Sequence, residues 1–414
     1  MPPLSPKSSF SGWRILVFAT IAMGLTGPGQ TIGVSVFIDH FAEDLNLSKN
    51  AIAGGYAIGT LCGALAMPTV GRWIDRYGVR RAMTIISILF AGALFYMSGV
   101  QGIISLTIGF WFIRMLGQGS LSLVSNVAVS LWFEQRRGLA LGLTMTISSA
   151  MMAMVPVGLS FTIAQWGWRT AWIVSASTVA MVVIPLAWFG IIDRPSSVGQ
   201  HPDGLDPHPD PQKRAAVRPS MDRSAALRTR AFWVLAAASG GSAMLSTGLN
   251  FHQISLLGES GFSQTEAAIM FLPQVIGTSV GSPVMGVALD KIGARFAPLV
   301  ALLLLSVTLL LASQVSTLPA VICYAVIFGL MSGTMRTLGA ALVPKWFGLD
   351  HIGSIQGALM FIGVLASAAG PIAFSVTASA TGSFRSTALL WAALPLLGAV
   401  FAATNRPSRH VGVS

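Results

Sequence analysis

Gly71-Arg72-Trp73-Ile74-Asp75-Arg76-Tyr77-Gly78-Val79-Arg80-Arg81 is a short charged stretch, punctuated by glycine, between two long apolar runs. It returns as Gly286-Val287-Ala288-Leu289-Asp290-Lys291-Ile292-Gly293-Ala294-Arg295, with Gly, Asp, a base, Gly and Arg at the same internal spacing. The offset is 215 residues, about half of the 414. A charged loop repeated at half-length in an apolar chain predicts two copies of one multi-helix unit.

Other correspondences extend the repeat in both directions. Trp132-Phe133 followed by Gly138 and Gly142 is echoed by Trp346-Phe347 followed by Gly353 and Gly357. Trp168-Arg169 is echoed by Phe384-Arg385, and Ser48 by Ser263, both serines placed to cap a helix N-terminus.

Hydrophobic residues make up 53% of the chain and charged residues 9%, with a mean hydropathy of +0.72. Soluble domains carry roughly a quarter charged residues, so the expected solvent is a bilayer. Twelve apolar spans of at least 18 residues can be counted: roughly 15–38, 51–70, 83–100, 103–126, 139–163 and 171–192, then 233–257, 266–288, 297–314, 318–342, 353–379 and 386–404. The fold expected is an all-α membrane protein, twelve transmembrane helices in two pseudo-symmetric six-helix bundles. The domains expected are residues 1–192, a linker at 193–230, and residues 231–414. Pro207, Pro209 and Pro211 mark the linker's first part as extended, and Ser220 to Arg230 reads as a short basic helix at an anionic leaflet or a solvated end.

A net charge of +11 invites a nucleic-acid reading, but the bases lie in short loops. With the N-terminus inside, the inner loops collect 20 of the 25 Lys and Arg. Positive-inside asymmetry explains that distribution, and no nucleic-acid partner is expected. Both termini should be cytoplasmic, in a membrane expected to be a bacterial inner membrane. Cys62 and Cys323 lie in apolar runs without metal-ligand spacing, so neither metal nor cofactor is expected.

The repeated loop resembles the signature between helices 2 and 3 of the major facilitator superfamily of secondary transporters, whose copy lies between helices 8 and 9. Arg114-Met115-Leu116-Gly117-Gln118-Gly119 resembles a second signature, in helix 4. The chain is also similar to the monocarboxylate and oxalate/formate branch, in Gly27-Pro28-Gly29-Gln30, Trp132 to Ala140, Pro195 with Pro202-Asp203-Gly204, and Ala226 to Trp233. It departs from that branch in helix 8, Thr265 to Val287, which has no Arg or Lys where a carboxylate-binding base is usual.

The resemblance implies alternating access, with the charged loop as a latch on the inner gate. The gate residues expected are Gly71, Asp75, Arg76, Gly78 and Arg80, and in the copy Gly286, Asp290, Lys291, Gly293 and Arg295. A carboxylate facing a helix N-terminus is a releasable electrostatic contact, and glycine permits close helix approach.

All fourteen acids fall in loops or at span ends, so the clearly intramembrane charges are Arg114 and Arg336. Each costs about 2.5–3.5 kcal/mol at a helix centre on insertion scales, which argues for a cavity or a partner. Arg336 is the candidate anion clamp, because guanidinium matches carboxylate bidentately; its alternative is snorkelling to the interface. Arg114 is either a second contact or a structural tie. Gln30, Tyr56, Asn126, Asn250 and Gln274 sit on helices that line the central cavity in related transporters, and complete the candidate substrate-binding set.

The expected function is passage of a small organic anion of the monocarboxylate kind, with or without a proton, by a chain functional as a monomer. The alternative is an exporter of amphipathic or drug-like compounds, suited by eighteen methionines. No intramembrane nucleophile–base or metal constellation supports an enzyme.

Overall fold

The computed structural model describes residues 10–204, 220–262, 264–291 and 296–404. Expectations for Pro207, Pro209, Pro211, Ser263, Gly293 and Arg295 lie outside the described residues. Within them the chain forms twelve helical segments in the order the hydropathy predicts. Helix α1 begins at Gly12–Gly24, turns through a 3-10 segment at Gly27–Gly29, and ends at Ile38–Asp44. The Gly-Pro-Gly sequence breaks it, since proline removes one ladder N–H and glycine resists little. Helix α2 is Lys49–Tyr77 and α3 is Val79–Ser98. Ser48 caps α2 by accepting the Ala51 N–H at 3.2 Å.

The charged stretch at 71–81 is helical almost throughout. Helix α2 runs to Tyr77, α3 starts at Val79, and the turn is Gly78 alone at φ 83. That conformation penalises any side chain, so one glycine ends a helix that Arg72 to Tyr77 would otherwise continue.

Helix α4 runs from Ile103 to Trp132, with a π-helical stretch at Arg114–Leu121. The long helix Arg137–Gly190 is interrupted at Gly167, at φ 81, which divides it into α5 (137–166) and α6 (168–190). The second half holds α7, Arg230–Gly258, then α8, ending in Phe271–Lys291, and α9, Ala297–Gln314. Helix α10 is Leu318–Phe347, α11 is Ile352–Thr381 and α12 begins at Phe384–Trp391. Pro371 lies inside α11, and the helix continues through it.

Packing obeys the repeat. Within the halves α2 packs on α4 and α8 on α10; between them α2 packs on α11 and α5 on α8. Glycine makes the close approaches, as it does where dispersion rather than the hydrophobic effect holds helices together. Gly59 and Gly63 of α2 face the α4 backbone, and Gly277 and Gly281 of α8 face the Val326 and Leu330 carbonyls of α10. Large apolar side chains such as Phe189, Met181 and Ile104 point outward, 75–80% exposed, which suits lipid and not water.

The repeated Trp/Phe-Arg pair acquires a physical role at the end opposite the charged loops. Asp44, ending α1, accepts the Trp168 indole N–H at 2.6 Å and Arg169 at 3.0 Å. Glu259, following α7, accepts the Phe384 and Arg385 N–H groups at 2.7 and 3.2 Å. Each carboxylate ties the first helix of its half to the sixth, so each half is clipped to itself.

Candidate functional site

At the charged-loop end the carboxylates tie one half to the other. Asp75, near the end of α2, accepts the Gly353 and Ser354 N–H groups, both at 2.8 Å. These are unpaired donors of the first turn of α11, where backbone N–H groups and the helix dipole favour an anion. Asp290 of α8 does the same at the start of α5, accepting the Gly138 and Leu139 N–H groups at 3.0 Å each. The glycines set the depth of these seats. A Cβ on Gly71 would run into the Gly353 carbonyl, and one on Gly286 into the Gly138 carbonyl.

The other predicted gate residues lie around these seats. Arg76 is exposed and lies over the Tyr77 ring at 5.5 Å. Arg80 turns to α6, its Nε donating to the Trp188 carbonyl at 2.6 Å and its backbone N–H to Asp193 at 2.8 Å. Lys291 is exposed. Arg76 and Arg80 therefore meet other groups than Asp75, and each acid rests on main-chain amides.

The segment after α6 and the one before α7 hold the turns that present the seats. Asp203 accepts the Glu134 and Gln135 N–H groups at 2.9 and 2.6 Å, just ahead of α5. Ser220 accepts the Asp350 N–H at 2.9 Å, just ahead of α11. Asp222 caps a short helix, Arg223–Leu227, and the Ala225 N–H holds its carboxyl below the ordinary range. Among the described residues one ion pair links the two sides here: Arg194, just past α6, donates to Asp350 at 3.1 Å, with both side chains more than half exposed. Exposed pairs contribute about 0.2–1 kcal/mol and are screened by salt. Arg194→Gln is therefore expected to move the closed-to-open ratio at this end less than about fivefold at low salt and not at all in roughly 1 M salt. Exchanging the charges, Arg194→Asp with Asp350→Arg, should restore it; spin-label distances between the halves would show a shift indifferent to salt if the pair acts otherwise.

Above the seats lies a cavity of about 590 Å³, lined by α1, α4 and α5 from one half and α7, α10 and α11 from the other. Of the predicted binding residues, Gln30, Asn126 and Arg336 line it. Arg336 is exposed to the cavity and donates through Nη1 to Ser149 of α5 at 3.2 Å, across the divide between halves. No carboxylate pairs with it among the described residues.

Arg114 and Tyr56 sit one layer back. The buried Arg114 guanidinium donates to Thr60 at 3.0 Å and Thr31 at 3.4 Å, and lies over the Tyr56 ring at 4.9 Å. The Tyr56 hydroxyl donates to the same Thr31 at 2.8 Å. This network joins α1, α2 and α4 beside the π-helical stretch. Asn250 and Gln274 bond each other at 3.1 Å and do not line the cavity. His252 faces the Pro371 carbonyl at 3.2 Å and Ser375 at 3.1 Å.

Sequence reasoning passed over several residues of the site. Gln118 lines the cavity from within the quoted helix-4 signature, where the glycines drew attention instead. Its Oε1 and the Oδ1 of Asn126 are buried with no protein donor. Gln356 and four methionines, Met23, Met145, Met152 and Met360, complete much of the wall, and Ser149 stands behind it as the partner of Arg336. The repeat offset itself was an available signal, since Met145 and Met360 stand 215 residues apart. Lys345, in the last turn of α10, donates to the Leu289 carbonyl at the end of α8 at 2.7 Å.

Comparison with known proteins agrees with this geometry. An MFS-type transporter of Gibberella moniliformis is 25% identical over 92% of this chain and 86% of its own length. Mouse monocarboxylate transporter 11 is 23% identical over 96% and 88%. Monocarboxylate transporter 9 of Pongo abelii is 31% identical over 34% of this chain, and the match spans only 28% of that relative. Among solved structures, the human organic anion transporter MFSD10 superposes with a TM-score of 0.68 at 17% identity, covering 94% of this chain and 99% of that one. The transporter FucP, in its outward conformation, gives 0.70 at 14% identity over 95% and 99%. The sequence profile of the Major Facilitator Superfamily matches residues 15–273 and 251–413. With two six-helix halves around one cavity and that profile running the length of the chain, the protein is a multi-pass membrane transporter that belongs to the major facilitator superfamily.

Proposed function

We propose that this transporter moves a small organic anion of the monocarboxylate kind by alternating access. The observation that carries the reading is Arg336, a cation facing the central cavity with no carboxylate partner among the described residues. A guanidinium so placed suits a carboxylate, and its bond to Ser149 lets one ligand engage both halves. The relatives named for monocarboxylates support the same class. Asp75 and Asp290 act as the gate, seated when the charged-loop end is closed and released when it opens. The charged loops and both termini face the cytoplasm, following the inner-loop bases. Fungal and mammalian relatives lend nothing to a bacterial membrane, so the placement proposed is this orientation alone. The chain works as a monomer, and the substrate travels with or without a proton.

A second reading, export of amphipathic compounds, is favoured by the four cavity methionines, whose flexible thioethers fit varied apolar shapes. Thermal unfolding of the purified protein separates the two. A ligand of the folded state raises the melting point by mass action. Stabilisation by small carboxylates is expected, and Arg336→Gln should abolish it. Stabilisation by lipophilic cations instead, unchanged in Arg336→Gln, would overturn the anion reading.

A further inference from the structure

The cavity lining is polar and apolar in unequal shares along its helices. Helices α1 and α4 supply Gln30, Thr31, Gln118, Ser122 and Asn126 beside Met23 and Ile32, while α5 and α11 supply Met145, Met152, Leu359 and Met360 beside Gln356. Among the described residues, Arg336 of α10 is the only charged one in the lining. A second negative charge on a ligand would stay unpaired in a low-dielectric site, at a large desolvation cost. The cavity, at about 590 Å³, falls in the range of about 300–1,000 Å³ that encloses drug-sized ligands. A three-carbon acid, with about six non-hydrogen atoms, would leave most of that apolar wall uncovered.

We infer that the preferred substrate is a bulky amphipathic monocarboxylate, with an apolar body against the methionine wall and a hydroxyl or amide donor toward Gln118 and Asn126. The inference rests on the anion reading above and adds size, single charge and a second polar group. Gln118 and Asn126 line the cavity, and their Oε1 and Oδ1 atoms, turned away from its space and without a protein donor, are the acceptors that rotation of either amide would offer that group, since a buried acceptor without a donor is costly. Propanoate fits Arg336 but reaches only one of these walls.

The test is binding to the purified full chain in lipid nanodiscs of propanoate, 3-phenylpropanoate, 3-(4-hydroxyphenyl)propanoate and their amides. The phenyl ring is expected to raise affinity at least tenfold over propanoate, given the area an aromatic ring buries. The ring hydroxyl should add roughly two- to tenfold, and each acid should exceed its amide. Met360→Gln should reduce the gain from the ring. Gln118→Leu and Asn126→Leu should remove the gain from the hydroxyl while leaving the ring's, a pattern that a misfolded variant cannot give. Equal binding of propanoate and phenylpropanoate would overturn the inference and leave the anion reading standing. A hydroxyl that weakens binding in the unmutated protein would overturn the polar contact. Amides bound as tightly as acids would overturn the anion reading itself.

Discussion

Gly286→Val is expected to hold the charged-loop end open and to stop transport in a protein that still folds. The new Cβ would meet the Gly138 carbonyl and come within 3.1 Å of the Leu139 nitrogen, both main-chain groups of the opposite half. A flexible side chain can move aside, but the first turn of α5 cannot do so and remain seated on Asp290. Overpacking of this kind costs about 1–3 kcal/mol, roughly a five- to 150-fold loss of the closed state. Spin labels at the exposed Arg76 and Lys291 positions, one in each half, would report the end opening. Gly158→Val is the control, because nothing lies within 4 Å of its added Cβ. It should leave both distances and transport unchanged. If Gly286→Val retains the closed distance, the glycine contact does not set the gate.

Asp75→Asn should shift the same equilibrium by a different route. Two N–H bonds to a carboxylate are replaced by, at best, one to a neutral carbonyl, and the amide NH₂ is turned toward a second N–H. Hydrogen bonds to charged groups contribute about 1.5–3 kcal/mol, so the open form should gain roughly ten- to 150-fold. Asp290→Asn should do likewise at α5, and the double variant should go further than either. Because both acids are partly buried, these shifts should persist in high salt, where the exposed Arg194–Asp350 contribution vanishes. An unchanged distance distribution in Asp75→Asn would remove the carboxylate from the gate and leave steric contact as its basis.

The architecture was legible because it is written in long-range repetition and hydropathy, both properties of the linear sequence. The repeated Gly and Asp positions pointed to the two seats from one side only. Their other side is backbone N–H, which every residue but proline carries, so no letter marks it; Gly138 and Gly353 gave the indirect sign. The extent of the turn was misread because Arg72 to Tyr77 look like loop by charge, yet arginine, tryptophan and isoleucine extend a helix until Gly78 stops it. Arg114 and Arg336 look alike in sequence, each a lone base on an apolar helix. Which one faces the cavity depends on helix rotation, and thus on Thr31, Tyr56 and Thr60, whose two helices wrap Arg114. Asn250 and Gln274 are equally ambiguous, since a polar amide at a cavity-lining register and one bonded to a neighbouring helix share one pattern.

Because each seat is main chain, mutation reaches the two sides of the contact unequally. Leu139 and Ser354 reach the carboxylates chiefly through their N–H groups, and almost any substitution there still supplies the same main-chain donor. Asp75 and Asp290 have no such latitude, since a single-base change from aspartate to asparagine removes the charge. As such chains diverge, drift should therefore run more freely at Leu139 and Ser354 than at the acids or at Gly138 and Gly353, where a Cβ would meet the opposite main chain. Partner-swapping by compensated change, common where two side chains pair, is closed to this contact: no second mutation on α5 or α11 can rebuild what the loss of the acid removes.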